Sequence, residues 1–297
     1  MTDTAPRTAP RTEPLIGTHQ QSDGYQTHYR HWGPASGEDA IVLLHGGISH
    51  SGWQQPLAEH VTATSDAAFY ALDRRGSGLN AQRGHLPSVE RELADIASFL
   101  RFLTGSFRRV HLAGWCFGGQ IASIAAARLA GEGVVASLVL VAPGYAFTER
   151  YADVLRLSMQ GIFSALDSLE VKPEPDRAFV PVPLQISDFT DRPEWQEFVA
   201  ADTLQLDRIT TTTVDVWDQL AALSRGGVLS ELGDIPVLAV LGNRDRLVDN
   251  DRVEAMLTEQ IRGTAPVVHR LDTHHAVQFE EPAALARHIT DFLATVR

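Results

Sequence analysis

Only one cysteine, Cys116, occurs in 297 residues, so neither an internal disulfide nor a thiolate metal cluster can form within the chain. Nothing in the covalent framework calls for an oxidising compartment, and a redox-sensing role for Cys116 lacks a resolving partner. Long apolar runs are missing as well. No stretch reaches the ~18 residues of a membrane-spanning helix, and the first residues hold no apolar core of the signal-peptide kind, so a cytoplasmic location is the expectation. Positive charge is scarce. Twenty-five basic residues, of which only Lys172 is lysine, face 37 acidic ones, and the net charge of −12 argues against nucleic acid or an anionic membrane as partner. His, Cys, Asp and Glu are nowhere spaced as metal ligands, so neither metal nor cofactor is expected. An apolar content of 44% with 21% charged residues is ordinary for a globular protein able to bury a large core.

The most informative stretch is Val110–Ala122, V-H-L-A-G-W-C-F-G-G-Q-I-A. A short apolar run meets Gly114-Trp115-Cys116-Phe117-Gly118-Gly119, and helix formers follow. Strand, sharp turn and helix succeed one another with Cys116 at the apex, the pattern of a G-x-S-x-G nucleophile elbow with sulfur in place of oxygen. So tight a turn strains the apex residue and leaves no room for side chains two places either side, which Gly114 and Gly118 satisfy. It also sets Cys116 at a helix N-terminus, where the dipole and free N–H groups favour an anion. The bland alternative is a buried structural cysteine. The surrounding glycines favour the catalytic reading.

Along the chain, residues 1–22 are polar and carry a near-repeat, T-A-P-R twice, which reads as a disordered tail. Strand character marks 24–32, 40–44, 67–72, 110–113, 137–142, 235–241 and 266–271. Helical patterns begin after Trp53, after Ser88 (an N-cap with apolar residues from Val89 to Leu103 on one stripe), after the elbow, near Asp251, and at Pro282. The alternation predicts an α/β fold, a mostly parallel sheet with helices on both faces, built from 23–143 and 233–297. Between them, 144–232 scatters aromatics and prolines among weakly amphipathic stretches and is expected to form a helical lid.

Every chemically suggestive residue falls just after a predicted strand, where open α/β sheets collect ligands. In the order nucleophile, acid, histidine, the chain resembles the α/β-hydrolase family from about Gly24 to Arg297. His45-Gly46-Gly47 is similar to that family's His-Gly loop, which implies an oxyanion hole made by the N–H groups of Gly47 and of Phe117. Asp73-Arg74-Arg75-Gly76-Ser77-Gly78 resembles an architectural turn, and Asp73 is given no chemistry. Gly242-Asn243-Arg244-Asp245-Arg246-Leu247-Val248 resembles the acid segment, which makes Asp245 the triad acid and leaves Asp249 and Asp251 to solvate or cap the next helix. Counting back from Glu280 and Pro282 selects His275 as the base, with His274 in the place of the usual Gly and as runner-up. His111, mid-strand, reads as a satisfied core histidine.

The resemblance implies a Cys116–His275–Asp245 triad that removes an O- or S-acyl group from an apolar small molecule. A thiolate is both a good nucleophile and a good leaving group, so thioesters and activated esters suit it better than plain esters. Two other readings compete. Ala113–Cys116, Leu140–Gly144 and Pro193–Phe198 resemble the hydrolase-fold enzymes of tetronate polyketide pathways, which implies a C–O lyase eliminating acetate to leave an exocyclic alkene. The third is a non-catalytic ligand-binding homologue, which would be expected to lack a triad member. The substrate is thus expected to be a polyketide-like secondary metabolite, free or carrier-protein-bound, with neither nucleic acid nor membrane as partner.

Overall fold

The computed structural model describes residues 13–171 and 173–296. Eight strands form one sheet: β1 (Leu15–Gln20), β2 (Gln26–Trp32), β3 (Gly37–Leu44), β4 (Ala68–Leu72), β5 (Phe107–Trp115), β6 (Ser137–Val141), and two later ones. A short pair, β7 (Phe179–Pro181) and β8 (Arg208–Thr210), stands apart, and β9 (Val237–Gly242) and β10 (Val267–Leu271) complete the large sheet. Its order is β1-β2-β4-β3-β5-β6-β9-β10. Pairing is parallel from β4 to β10 and antiparallel across β1, β2 and β4.

The helices are α1 (Gln55–Thr64), α2 (Val89–Leu103), α3 (Phe117–Leu129), α4 (Glu149–Asp167), α5 (Pro193–Ala201), α6 (Thr211–Arg225), α7 (Asn250–Gln260), α8 (Val277–Glu280) and α9 (Pro282–Leu293). Six of them pack in two groups, α1 with α8 and α9, and α2 with α3 and α6. The central strands carry continuous apolar runs because both faces are covered, and Ile41–Leu44, Ala68–Leu72 and Leu138–Val141 are buried throughout. The start of α2 follows its sequence signal: Ser88 accepts a hydrogen bond from the N–H of Arg91 at 3.1 Å, and Leu93, Ile96, Phe99, Leu100 and Leu103 are buried along one stripe.

Two expectations need correction or extension. Of the tail expected over 1–22, residues 1–12 lie outside the described residues, but Leu15–Gln20 is strand β1, in register with β2 from Leu15 opposite His31 to Gln20 opposite Gln26. An edge strand needs backbone partners rather than a buried apolar face, so polarity hid it. His19 further anchors it, bonding Ser98 at 2.8 Å and packing on Phe99 and Phe102. The segment expected as a helical lid, 144–232, carries α4, α5 and α6, and also the β7–β8 pair, whose partners Phe179 and Thr210 are too far apart in sequence to announce each other.

Candidate active site

Gly47, Cys116, Asp245 and His275 follow β3, β5, β9 and β10, so the parallel sheet delivers them to one end of the molecule. Cys116 is the strained apex of the elbow, with φ 55° and ψ −120°. A Cβ on Gly114 would overlap the carbonyl of Gly118, and one on Gly118 would overlap the carbonyl of Leu44, which accounts for both glycines. The Cys116 N–H donates to Val141 O at 3.0 Å, and its carbonyl accepts from Gly119 and Gly144 at 3.0 and 3.1 Å. The next peptide N–H, that of Phe117, belongs to the same trans unit as that carbonyl and points the opposite way; as the first residue of α3 it has no intrahelical acceptor.

The same reasoning orients Gly47. The Gly46 carbonyl accepts from Arg74 Nη2 at 3.0 Å and from His45 Nδ1 at 2.7 Å, so the Gly47 N–H faces the other side. The Arg74 N–H donates to His45 Nε2 at 3.1 Å, which leaves Nδ1 as the donor of a neutral imidazole. Burial and the adjacent Arg74 charge hold His45 well below the usual histidine range, which fits that tautomer. Arg74 is itself paired with buried Glu92 at 3.0 Å. Sequence reading missed this brace, because nothing local links position 74 to position 46.

His275 Nδ1 donates to Asp245 Oδ2 at 2.7 Å, and both side chains are fully buried. Asp245 Oδ1 accepts the N–H groups of Leu247 and Val248 at 2.8 and 3.0 Å, which fixes the carboxylate. Burial opposes charge on His275, but Asp245 and then Cys116 outweigh it and raise the imidazole to about 10. Its Nε2 is buried with no hydrogen-bond partner among the described residues. Trp115, the residue before Cys116, donates from its indole to the His275 carbonyl at 3.0 Å, and its ring lies 5.5 Å from the imidazole. Phe189, from the insertion, lies 5.8 Å away on the same ring.

The runner-up, His274, faces elsewhere. Its Nδ1 meets Glu280 Oε1 at 3.0 Å and its Nε2 meets Asp191 Oδ2 at 3.0 Å, so both nitrogens are engaged in a structural network. Glu280 also accepts from Thr190 at 2.5 Å, which ties the insertion to α8. Asp249 caps α7 by accepting from Arg252 at 3.1 Å. Asp251 pairs on the surface with Arg270 at 2.8 Å. Asp73 accepts the N–H groups of Ser51 and Leu79, an architectural duty. His111, in the middle of β5, bonds Ser137 and Asp39 at 2.8 and 3.0 Å and takes no part in the site.

Cys116 opens into a cavity of ≈ 150 Å³ lined by apolar side chains, among them Ile48, Phe117, Phe147, Leu184 and Trp217. Among the described residues no group of three or more His, Cys, Asp or Glu is arranged to hold a metal ion, and no helix is long and apolar enough to cross a membrane.

With this geometry, the family model described as "Serine aminopeptidase, S33" matches residues 35–281, the whole span from β3 to α8. The chain belongs to this family of α/β-hydrolases. It is an α/β-hydrolase-fold enzyme whose elbow carries cysteine where the family's name refers to serine. Among solved structures this hydrolase is similar to a soluble variant of Saccharomyces cerevisiae monoglyceride lipase bound to a substrate analogue, with TM-score 0.80, 14% identity and 98% of each chain covered. It is also similar to DcsB bound to its substrate analogue, with TM-score 0.70, 19% identity, and 96% of this chain and 100% of that one covered. The thioesterase domain of the curacin biosynthetic pathway gives TM-score 0.63 at 17% identity, covering 94% and 100% of the two chains. At such identities the likeness is one of fold. A stretch of 85 residues is 44% identical to the Escherichia coli K12 protein YnbC, covering 27% of this chain and 14% of that protein, so the match spans about one seventh of YnbC's length.

Proposed function

We propose that this hydrolase removes an O- or S-acyl group from an apolar, polyketide-like small molecule, free or carrier-protein-bound, by covalent catalysis at Cys116. The observation that carries the reading is the buried His275–Asp245 pair beside Cys116, whose charge acts on the imidazole, with Cys116 itself facing an apolar cavity. His275 takes the thiol proton and the sulfur adds to the acyl carbonyl carbon. The N–H groups of Gly47 and Phe117 stabilise the oxyanion. The intermediate collapses by breaking the carbonyl-carbon bond to the leaving O or S atom, which accepts the proton from His275. Water, deprotonated by His275, then attacks the thioester and releases the acid and the Cys116 thiol. Asp245 holds the imidazole tautomer that both half-reactions require. The cavity lining suits an apolar acyl chain, and a sulfur nucleophile favours thioesters or activated esters. The thioesterase and lipase names among the structural neighbours fit acyl transfer to water. A non-catalytic role is disfavoured by an acid–histidine pair kept intact in hydrogen-bonding geometry.

Intact-protein mass spectrometry with acyl thioesters should show one acyl mass on Cys116, and Cys116→Ala should lose about 10⁴–10⁶ in rate while staying folded. Turnover in ¹⁸O-water should place one label in the released acid. An unlabelled acid together with an alkene product would replace hydrolysis by the elimination of acetate from an O-acetylated tetronate.

A further inference from the structure

The cavity above Cys116 presents few polar side chains, and most of them are engaged. Ser49 donates to the Gly46 carbonyl at 3.4 Å, and Gln120 donates to the Gly144 carbonyl while accepting from Ser224 at 3.0 Å. Asp218 is exposed at the mouth. Tyr151 differs from these. Its residue is 7% exposed, it lines the same cavity as well as a second, smaller one with Asp188 and Arg246, and its hydroxyl makes no hydrogen bond to any described residue.

Its placement is rigid. Thr148 caps α4 by accepting from the Tyr151 N–H at 3.3 Å, and the ring packs edge-on against Phe147 at 5.2 Å. The chain leading there is tied to the elbow, because Gly144 donates to the Cys116 carbonyl. Burial first, then negative charge at Cys116 and at Asp188, push the phenol far above its usual range, so it stays a neutral donor. The hydroxyl oxygen is not fully buried, so it stands open to solvent, and an acceptor on a bound molecule can take the place of water there. We propose that the Tyr151 hydroxyl, fixed in the wall of the Cys116 cavity with no protein partner, hydrogen-bonds a second oxygen on the substrate's acyl chain, and so selects 3-oxo- or 3-hydroxyacyl compounds over unoxygenated ones. Tyr151 thereby sets the substrate class, and this rests on acyl chemistry at Cys116 as proposed above.

The test compares S-hexanoyl and S-3-oxohexanoyl N-acetylcysteamine as substrates of the full-length chain. Wild type should favour the 3-oxo compound by about tenfold in kcat/KM, the size expected of one neutral hydrogen bond. Tyr151→Phe should lower kcat/KM for the 3-oxo compound by about tenfold and alter the hexanoyl compound less than about twofold. Equal losses on both substrates, or a preference that survives in Tyr151→Phe, would overturn the assignment. Intact-mass detection of the acyl-enzyme separates the two claims. Acylation of Cys116 without a Tyr151-dependent preference removes only the substrate class, whereas absence of acylation by either thioester removes the covalent reading and this inference with it.

Discussion

Asp245→Asn probes the centre of the site with the least change of shape. In the native carboxylate, Oδ1 accepts two backbone N–H groups and Oδ2 accepts the His275 Nδ1–H. An amide in the same place keeps its oxygen on the two backbone donors and turns its NH₂ toward His275. Two donors then face each other unless the imidazole switches to the Nε2–H tautomer, and that form cannot take a proton from Cys116. The expected loss in kcat is about 10⁴. The electrostatic consequence can be sized as well. Moving His275 from 6.5 to about 10 corresponds to ~5 kcal/mol of preference for imidazolium, at ~1.4 kcal/mol per pH unit, and Asp245 is its largest favourable cause. Because the folded value is raised, that stability is fully present below pH 6.5 and is lost as pH climbs through about 10. Urea unfolding of wild type should therefore weaken across this window, while the variant should show a much flatter dependence. An NMR titration of the His275 Cε1–H should place the wild-type midpoint near 10 and lower it in Asp245→Asn. A variant with activity within tenfold of wild type, or an unmoved midpoint, would refute the assignment.

His275→Ala should remove turnover, whereas His274→Ala should cost mainly stability, about 1–3 kcal/mol, by leaving buried Glu280 short of a donor; kinetics and urea melts of both variants check the ranking. Gly118→Ala drives a methyl into the Leu44 carbonyl, so the α3 start must shift away from β3; a loss of about 3 kcal/mol and a Tm lower by roughly 5–10 °C are expected by calorimetry, and an unchanged Tm would contradict the packing.

Features enforced within a few residues can be read from the chain alone. The elbow is legible because its steric demands fall on Gly114, Gly118 and Cys116 alone, and the buried strands because coverage on both faces demands an uninterrupted apolar run. The sites after β3, β5, β9 and β10 follow from chain order, since a parallel sheet brings all those ends together. Features that depend on partners distant in sequence emerge only when the chain is folded. His274 and His275 are adjacent and chemically identical, and they part company because Asp191 and Glu280 claim one while Asp245 claims the other. The aim of the Gly47 N–H depends on Arg74 holding the carbonyl behind it, and the unpartnered hydroxyl of Tyr151 depends on where α4 lies over Cys116. Strand β1 escaped notice for the same reason: its stability comes from backbone hydrogen bonds to β2, and backbone groups are the one feature that every residue shares.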